Sequence, residues 1–320
     1  MKQLKHLSPS SITLYLKDRE QFYLRYLSDN RPESDPQTKP MSVGSGFDSY
    51  VKAYLRYVLF GDDQDSVFTE YFESSVEEQN RDFALVAGKK VFENYKVSGA
   101  LADLALDLSK AKEGPKFEFY VDNGISSDSN SKGVRFLGKP DLWYINSFGS
   151  HVILDWKVNG YCSQASPTKG YVMIRDGIRP VTGGSSRGAN KPHKDVILMS
   201  YQGVLVDGYY KMEDKNIDWA RQLAIYSWLC GEEVGFEVVG CIDQIVSNSD
   251  GLMRVAEHRN LISREFQLEL YSQAEKIWED CSSGHYFRDM TLEDSVARCN
   301  SLDLIKGVTE DTMYKKMYGR

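Results

Sequence analysis

Three side chains carry the clearest chemical signal in this sequence. Asp155 and Lys157 stand two apart after the apolar run Val152-Ile153-Leu154, so on a strand they share one face while Trp156 turns to the other. Asp141 follows Gly138-Lys139-Pro140 and opens a second apolar run, and Asn146-Ser147-Phe148-Gly149-Ser150 is a turn joining the two into a hairpin. Such a hairpin can bring Asp141 and Asp155 within ligand distance of one ion. Carboxylates and backbone carbonyls are the hard oxygen donors that Mg²⁺ and Mn²⁺ favour. An ion held there activates water and polarises a phosphate, and a neighbouring lysine stabilises the charge that develops. The expected chemistry is cleavage of a phosphodiester bond. A surface Asp and a surface Asp–Lys pair on an edge strand would give the same spacing. The core character of Val152-Ile153-Leu154, with charges gathered at what reads as the strand's end, favours a site.

Four further residues could contribute. Gln222 and Tyr226 are four apart on a strongly helical stretch, Ile217 to Gly231, and so share a face; a structural Gln and a core Tyr would satisfy the same spacing. Asp48 follows Gly44-Ser45-Gly46-Phe47 ahead of an apolar helix and either aims a carboxylate inward or is a first-turn acid favoured by the helix dipole. Glu118 alternates with Phe117 and Phe119 and faces either solvent or the site.

The elements that must position these groups read as follows. Ser8-Pro9 starts a helix whose apolar face continues to Leu27, Ser28 to Pro40 is a proline-rich loop, and a second helix runs from about Gly44 to Phe60. A third helical region spans roughly Val67 to Lys112, broken near Gly88 or Ser98-Gly99. From Lys116 the period changes to that of a strand, followed by the polar loop Asp122 to Lys132 and the hairpin. Val196 to Leu198, Gly203 to Tyr210, Phe236 to Val246 and Met253 to Leu261 are strands, and Ser263 to Ser282 is an amphipathic helix. The order implies an α/β core with a helical N-terminal part. We expect one domain over residues 1–320, with a helical part at 1–115, a core at 116–158 and 195–285, and an inserted loop or lobe at 159–194.

The 320 residues are 41% hydrophobic, which suffices for a sizeable core. A formal net charge of -7 gives no global attraction to nucleic acid, so phosphate binding must come from a local basic patch. The cysteines, Cys162, Cys230, Cys241, Cys281 and Cys299, are odd in number and lack C-x-x-C spacing, which argues against a disulfide framework or a zinc site. Without a signal-like N-terminus or a long apolar run, the sequence reads as a reduced, cytoplasmic protein with no membrane association.

Taken together and in order, the motifs resemble the PD-(D/E)XK nuclease superfamily, most closely its RecB-like branch of AddB-type, CRISPR-associated and phage exonucleases. Ser8 to Tyr26 is similar to the opening S-x-S-x-L-x-x-Y helix, Gly44 to Leu55 to the G-x-x-x-H helix, Gly138-Lys139-Pro140-Asp141 to G-x-x-D, Asp155-Trp156-Lys157 to D-x-K, and Gln222 to Tyr226 to Q-x-x-x-Y. The resemblance implies a restriction-endonuclease-like core, with a mixed central sheet flanked by helices. It implies a Mg²⁺- or Mn²⁺-dependent deoxyribonuclease, expected to be an exonuclease of DNA recombination, repair or phage DNA processing in a bacterial or phage-infected cell. DNA is the implied partner, together with a recombination or replication protein. An inactive nuclease-fold DNA-binding or scaffold protein and a structure- or site-specific endonuclease are the alternatives.

By position, the resemblance makes Asp141 and Asp155 metal ligands with the Trp156 carbonyl as a third, and Lys157 the catalytic lysine. Gln222 and Tyr226 then position the DNA backbone or the lysine, and Glu118 stands where relatives carry an extra strand acid. Asp48 replaces a metal-binding histidine of the RecB-like branch. Several relatives hold an iron–sulfur cluster, but here Asp18-Arg19 occupies the early Cys-Pro place and only Cys281 and Cys299 lie late in the chain, so no iron–sulfur cluster is expected. Directly after the D-x-K strand, glycines are interleaved with Tyr161, Tyr171, Arg175, Arg179, Arg187, Lys191 and Lys194. We read this segment as a DNA contact through stacking and phosphate pairing.

Overall fold

The computed structural model describes residues 2–31, 36–118, 121–125, 133–163, 165, 172–175, 179–182, 211–249 and 253–305. Helices α1 (Pro9–Lys17), α2 (Arg19–Phe22), α3 (Lys39–Phe60), α4 (Gln64–Ser75), α5 (Arg81–Ser98) and α6 (Ala100–Ser109) form the N-terminal part. They are followed by β1 (Glu113–Phe117), β2 (Val121–Ile125), β3 (Val134–Gly138), β4 (Leu142–Ile145), β5 (His151–Asn159), β6 (Val172–Arg175) and β7 (Arg179–Thr182). The chain then gives α7 (Met212–Lys215), α8 (Ile217–Leu229), β8 (Val239–Ser247), β9 (Met253–Leu261), α9 (Arg264–Ser282) and α10 (Leu292–Asp303). No described helix is long and apolar enough to cross a membrane.

The central sheet has the order β1-β4-β5-β8-β9. It is mixed: β5 pairs with β4 antiparallel and with β8 parallel, and β9 closes antiparallel on β8. Because side chains alternate across a strand, β5 is buried on both faces. Val152, Leu154 and Trp156 pack with α3, α5 and α6, whereas Ile153 joins a second core with α1, α8 and α9. This double burial is why Val152-Ile153-Leu154 reads as an unbroken apolar run. The fold is an α/β sheet core flanked by helices with a helical N-terminal part.

Several boundaries differ from the sequence reading, each for a local reason. The first helix is interrupted at Asp18, whose side chain accepts the amide N–H groups of Glu20 and Gln21 and starts α2 afresh. The second helix begins at Lys39 rather than Gly44, because Thr38 caps it and Pro40 sits in its first turn, where proline's missing N–H costs nothing. The third region breaks between Ser75 and Arg81 and again at Gly99, not at Gly88, which lies inside α5. The strand expected from Lys116 is two strands, β1 and β2, in different sheets, and Glu118 stands at the junction with a positive φ of 39°. The charges of Asp155-Trp156-Lys157 do not end their strand: β5 continues to Asn159 because β8 pairs with it through Val246. The strands expected at 196–198 and 203–210 lie outside the described residues.

Gly88 serves a close approach. A Cβ added there would lie 2.7 Å from the Gly46 carbonyl carbon and 2.8 Å from the Phe47 nitrogen. The backbones of α3 and α5 therefore touch at this point, which fixes the rotation of α3 and the face that it turns to the sheet. Gly44, on the same helix as Gly46, has nothing within 4 Å of such a Cβ. The two positions should respond with opposite signs. Gly44→Ala should stabilise by about 0.5–1 kcal/mol through helix propensity. Gly88→Ala meets backbone that cannot rotate away, and should lose roughly 1–2 kcal/mol net. Urea unfolding of the two variants measures this; stabilisation by both would refute the close contact.

Candidate active site

The site lies where β4 parts from β5. Their last paired residues are Leu142 and Leu154, so Asp141 and Asp155 are next in register but no longer joined through the backbone. Asp141 compensates with its side chain: its Oδ2 accepts the Trp156 amide N–H at 3.1 Å. Its own carbonyl accepts the Glu118 N–H at 3.1 Å, which ties the end of β1 to the same point. A gap in the ladder is thereby lined by carboxylates.

Asp155 is 4% exposed and points toward α8. There Gln222 Nε2 donates to Asp155 Oδ1 at 2.6 Å, the Lys157 ammonium lies 2.5 Å from Oδ2, and Lys157 Nζ donates to Gln222 Oε1 at 2.8 Å. The three groups close a triangle. Tyr226, one helical turn on, takes a longer bond of 3.3 Å from Gln222 Nε2 to its hydroxyl. Burial raises the Asp155 carboxyl to about 6 against the pull of the Lys157 ammonium. Burial and Asp155 together push the Tyr226 hydroxyl up to about 12. Gly138 is needed for this arrangement: a Cβ on it would stand 2.9 Å from the Tyr226 ring and 2.5 Å from Leu229.

The opposite side of Asp141 is organised by Lys52, a residue that the motif reading passed over. Its ammonium lies 3.2 Å from Asp141 Oδ1, 3.0 Å from Glu118 Oε2 and 3.6 Å from Asp48 Oδ2. Glu118 is also paired with Lys139. Burial alone would lower the Lys52 pKa, but Asp141, Asp48 and Glu118 hold it above the ordinary lysine value. Burial raises Asp48 well above the usual carboxylate range, with Lys52 pulling the other way. One signal for Lys52 was present in the sequence: it lies four residues after Asp48, on the inward face of a helix whose neighbours Phe47, Val51 and Leu55 are core.

Trp156 is anchored from behind the sheet. Its indole N–H points to the Tyr95 hydroxyl at 3.4 Å, that hydroxyl donates to Asp243 at 2.5 Å, and Asp243 pairs with Arg259, which also holds Glu257. This buried network fixes the residue between the two catalytic candidates, and no motif announced it.

The structure thus gathers Asp48, Glu118, Asp141, Asp155, Lys157, Gln222 and Tyr226 around one gap, with the Trp156 backbone at its edge. Of the proposed DNA-contacting residues, only Tyr161 has a described side chain. Tyr161 packs edge-to-face on Phe83 at 6.1 Å. Arg175 and Arg179 face each other in the β6–β7 register, and their side chains lie outside the described residues, as do Tyr171, Arg187, Lys191 and Lys194. A groove of about 700 Å³ leads to Gln222 and Tyr226 from the start of α1, lined by Ser8, Ser10, Lys17, Arg25 and Lys139 among others.

Among the described residues, no three carboxylate, imidazole or thiolate groups are already drawn together as a metal cage. The donor chemistry nevertheless fits a hard divalent cation, since Asp141, Asp155 and the Trp156 carbonyl are all oxygen donors. The Lys52 ammonium among three carboxylates marks a place where positive charge is required.

The sequence model of the PD-(D/E)XK nuclease superfamily matches residues 6–170. No curated protein matches the chain. Among solved structures, a "Putative exonuclease" from Eubacterium rectale is similar at 12% identity, covering 88% of this chain and 82% of that chain with a TM-score of 0.39. The protein SSO0001 is similar at 12% identity, covering 83% and 85% with a TM-score of 0.26. The family match spans more than half of the sequence and includes the Gly138–Asp141 and Asp155–Lys157 segments that line the gap, and the chain belongs to the PD-(D/E)XK nuclease superfamily.

Proposed function

We propose that the protein is a Mg²⁺- or Mn²⁺-dependent deoxyribonuclease of the RecB-like branch, acting as an exonuclease on DNA ends in recombination, repair or phage DNA processing. The observation that carries this reading is the Asp155–Lys157–Gln222 triangle standing beside Asp141 at the break in the sheet. An inactive copy of the fold would be under no constraint to keep a buried acid, its lysine and the amide that joins them.

In this reading Asp141, Asp155 and the Trp156 carbonyl hold the divalent ion. When bound, the ion supplies a Lewis acid for the phosphate and a water of lowered pKa. Lys157 is held beside the gap by Gln222 and presents its charge to the oxygen on which negative charge develops; such preorganised donors contribute most because they need little rearrangement. Gln222 holds carboxylate and ammonium together. The Tyr226 hydroxyl donates to a non-bridging phosphate oxygen. The groove from α1 supports a path for one strand, with Lys17, Arg25 and Lys139 at phosphates and Ser8 and Ser10 near the helix start.

End-labelled linear and closed circular DNA, incubated with Mg²⁺ or Mn²⁺, test the reading. Linear DNA should be degraded and circles should survive; cutting of circles would make the protein an endonuclease, and activity in excess EDTA would end the metal-dependent reading. Asp155→Asn and Lys157→Ala should each lower the cleavage rate by at least about 10²-fold while the folded protein persists. Equal rates in wild type and both variants would remove these residues from the mechanism.

The groove makes a separate prediction. Lys17→Ala and Arg25→Ala should weaken binding of DNA uniformly across sequences. Each should also reduce the salt dependence of log K by roughly one unit for every phosphate left without its cation. Fluorescence anisotropy at several salt concentrations measures it. An unchanged slope in both would move the strand elsewhere.

A further inference from the structure

We propose that Lys52 is a tethered cation occupying the place of a second metal ion, so that the site loads a single divalent ion at its Asp141–Asp155 end. The inference rests on the metal-dependent reading above and specifies how many ions that site takes.

The geometry is that of an internal counter-ion. Lys52 is 1% exposed, yet its ammonium is not stranded. The ammonium donates to Glu118 at 3.0 Å and to Asp141 at 3.2 Å, and the Asp48 carboxylate adds an ion pair at 3.6 Å. The Trp156 ring adds a weaker contact, its centroid 6.0 Å from the ammonium. Burying a charge is costly unless it is paired, so the three carboxylates and the ammonium require each other. Asp48 is supplied by the same helix one turn earlier, Asp141 by the entry to β4, and Glu118 by the β1–β2 junction, where its positive φ turns it toward the cluster. Three separate elements thus converge on one ammonium.

The carboxylates around Lys52 are hard oxygen donors, the kind a second divalent ion would use. Asp141 is shared: Oδ1 faces Lys52 and Oδ2 faces the β5 backbone at Trp156. Asp155, by contrast, has its own partners in Gln222 and Lys157. The site therefore divides into two halves joined through Asp141. In the outer half the positive charge is already covalently present. A divalent ion entering there would meet the ammonium at contact distance and compete with it for one oxygen of each carboxylate. In the inner half Asp155, Asp141 and the Trp156 carbonyl serve one ion. Lys157 also touches Asp155, but it has that single carboxylate partner, is 31% exposed and can give up Asp155 Oδ2 while keeping its bond to Gln222, whereas Lys52 is enclosed by three carboxylates. Asp48, at the position where the related branch carries histidine, then serves to hold Lys52, not to bind metal.

Mn²⁺ titration of the purified protein without DNA, followed by calorimetry and by electron paramagnetic resonance of free Mn²⁺, counts the ions. Melting curves with and without Mn²⁺ supply an independent readout. The wild type should bind one Mn²⁺ per chain. Lys52→Met, which keeps the stem and removes the charge, should bind two. Its melting temperature should fall below that of wild type without metal and rise more than that of wild type when Mn²⁺ is added. Two ions bound by the wild type would overturn the proposal, and this measurement does not depend on any variant folding. One ion in Lys52→Met, with no larger thermal rise, would overturn it as well. Asp155→Asn separates the two levels: it should lose the wild-type ion while leaving Lys52 and its partners in place. If the wild type binds no Mn²⁺, the metal-dependent reading falls and the inference falls with it; if it binds two and Asp155→Asn loses one, only the inference falls.

Discussion

One hydrogen bond organises the centre of this protein: the Asp141 carboxylate accepts the Trp156 amide N–H where β4 leaves β5. A strand that loses its neighbour exposes backbone groups, and a buried amide without a partner is costly. Satisfying it with a side chain rather than another backbone allows the sheet to open without leaving an orphan. It also brings a carboxylate to the position beside Asp155. The parting of the strands and the placing of the two acids are thus one structural event.

Opening a sheet among helices buries charge, and the rest of the site answers that problem. Asp155 is matched by Lys157, with Gln222 bonded to both. Asp48, Glu118 and Asp141 are matched by Lys52, and Glu118 also by Lys139 on the rim. Behind the sheet, Asp243 and Glu257 are matched by Arg259, and that network reaches Trp156 through Tyr95. Removing either member of such a buried pair leaves the other uncompensated. The close contact of α3 with α5 at Gly46 and Gly88 belongs to the same design, because it sets the face of α3 from which Asp48 and Lys52 reach inward.

Much of this was legible in the sequence where local pattern and burial agree. β9 was readable at its bounds, and α9 was read from its capping residue Ser263 and its amphipathic helical period. Asp155 and Lys157 were legible as a same-face pair because alternation in a strand is rigid. Glu118 was not, since a residue at a junction with positive φ obeys neither strand nor helix periodicity. Lys52 was hidden because a single lysine on an apolar helix face reads as an exception until the acids that surround it, contributed by residues 66 and 89 positions further on, are seen in space. Tyr95 and Asp243 were hidden for the same reason, being brought together over 148 positions. The groove beside α1 was not legible because Lys139 lies far in the chain from Lys17 and Arg25, whereas the segment after β5 concentrates its basic residues in sequence.

Central to the proposed mechanism is that Asp141 and Asp155, with the carbonyl of Trp156, form the metal-binding half of a phosphodiester-cleaving site. Anomalous diffraction from crystals grown with Mn²⁺ tests it most directly. The expected result is one strong anomalous peak in contact with both carboxylates and that carbonyl, with the Lys52 ammonium still among Asp48, Glu118 and Asp141. A peak bound away from Asp155, or one centred where the Lys52 ammonium lies, would contradict it.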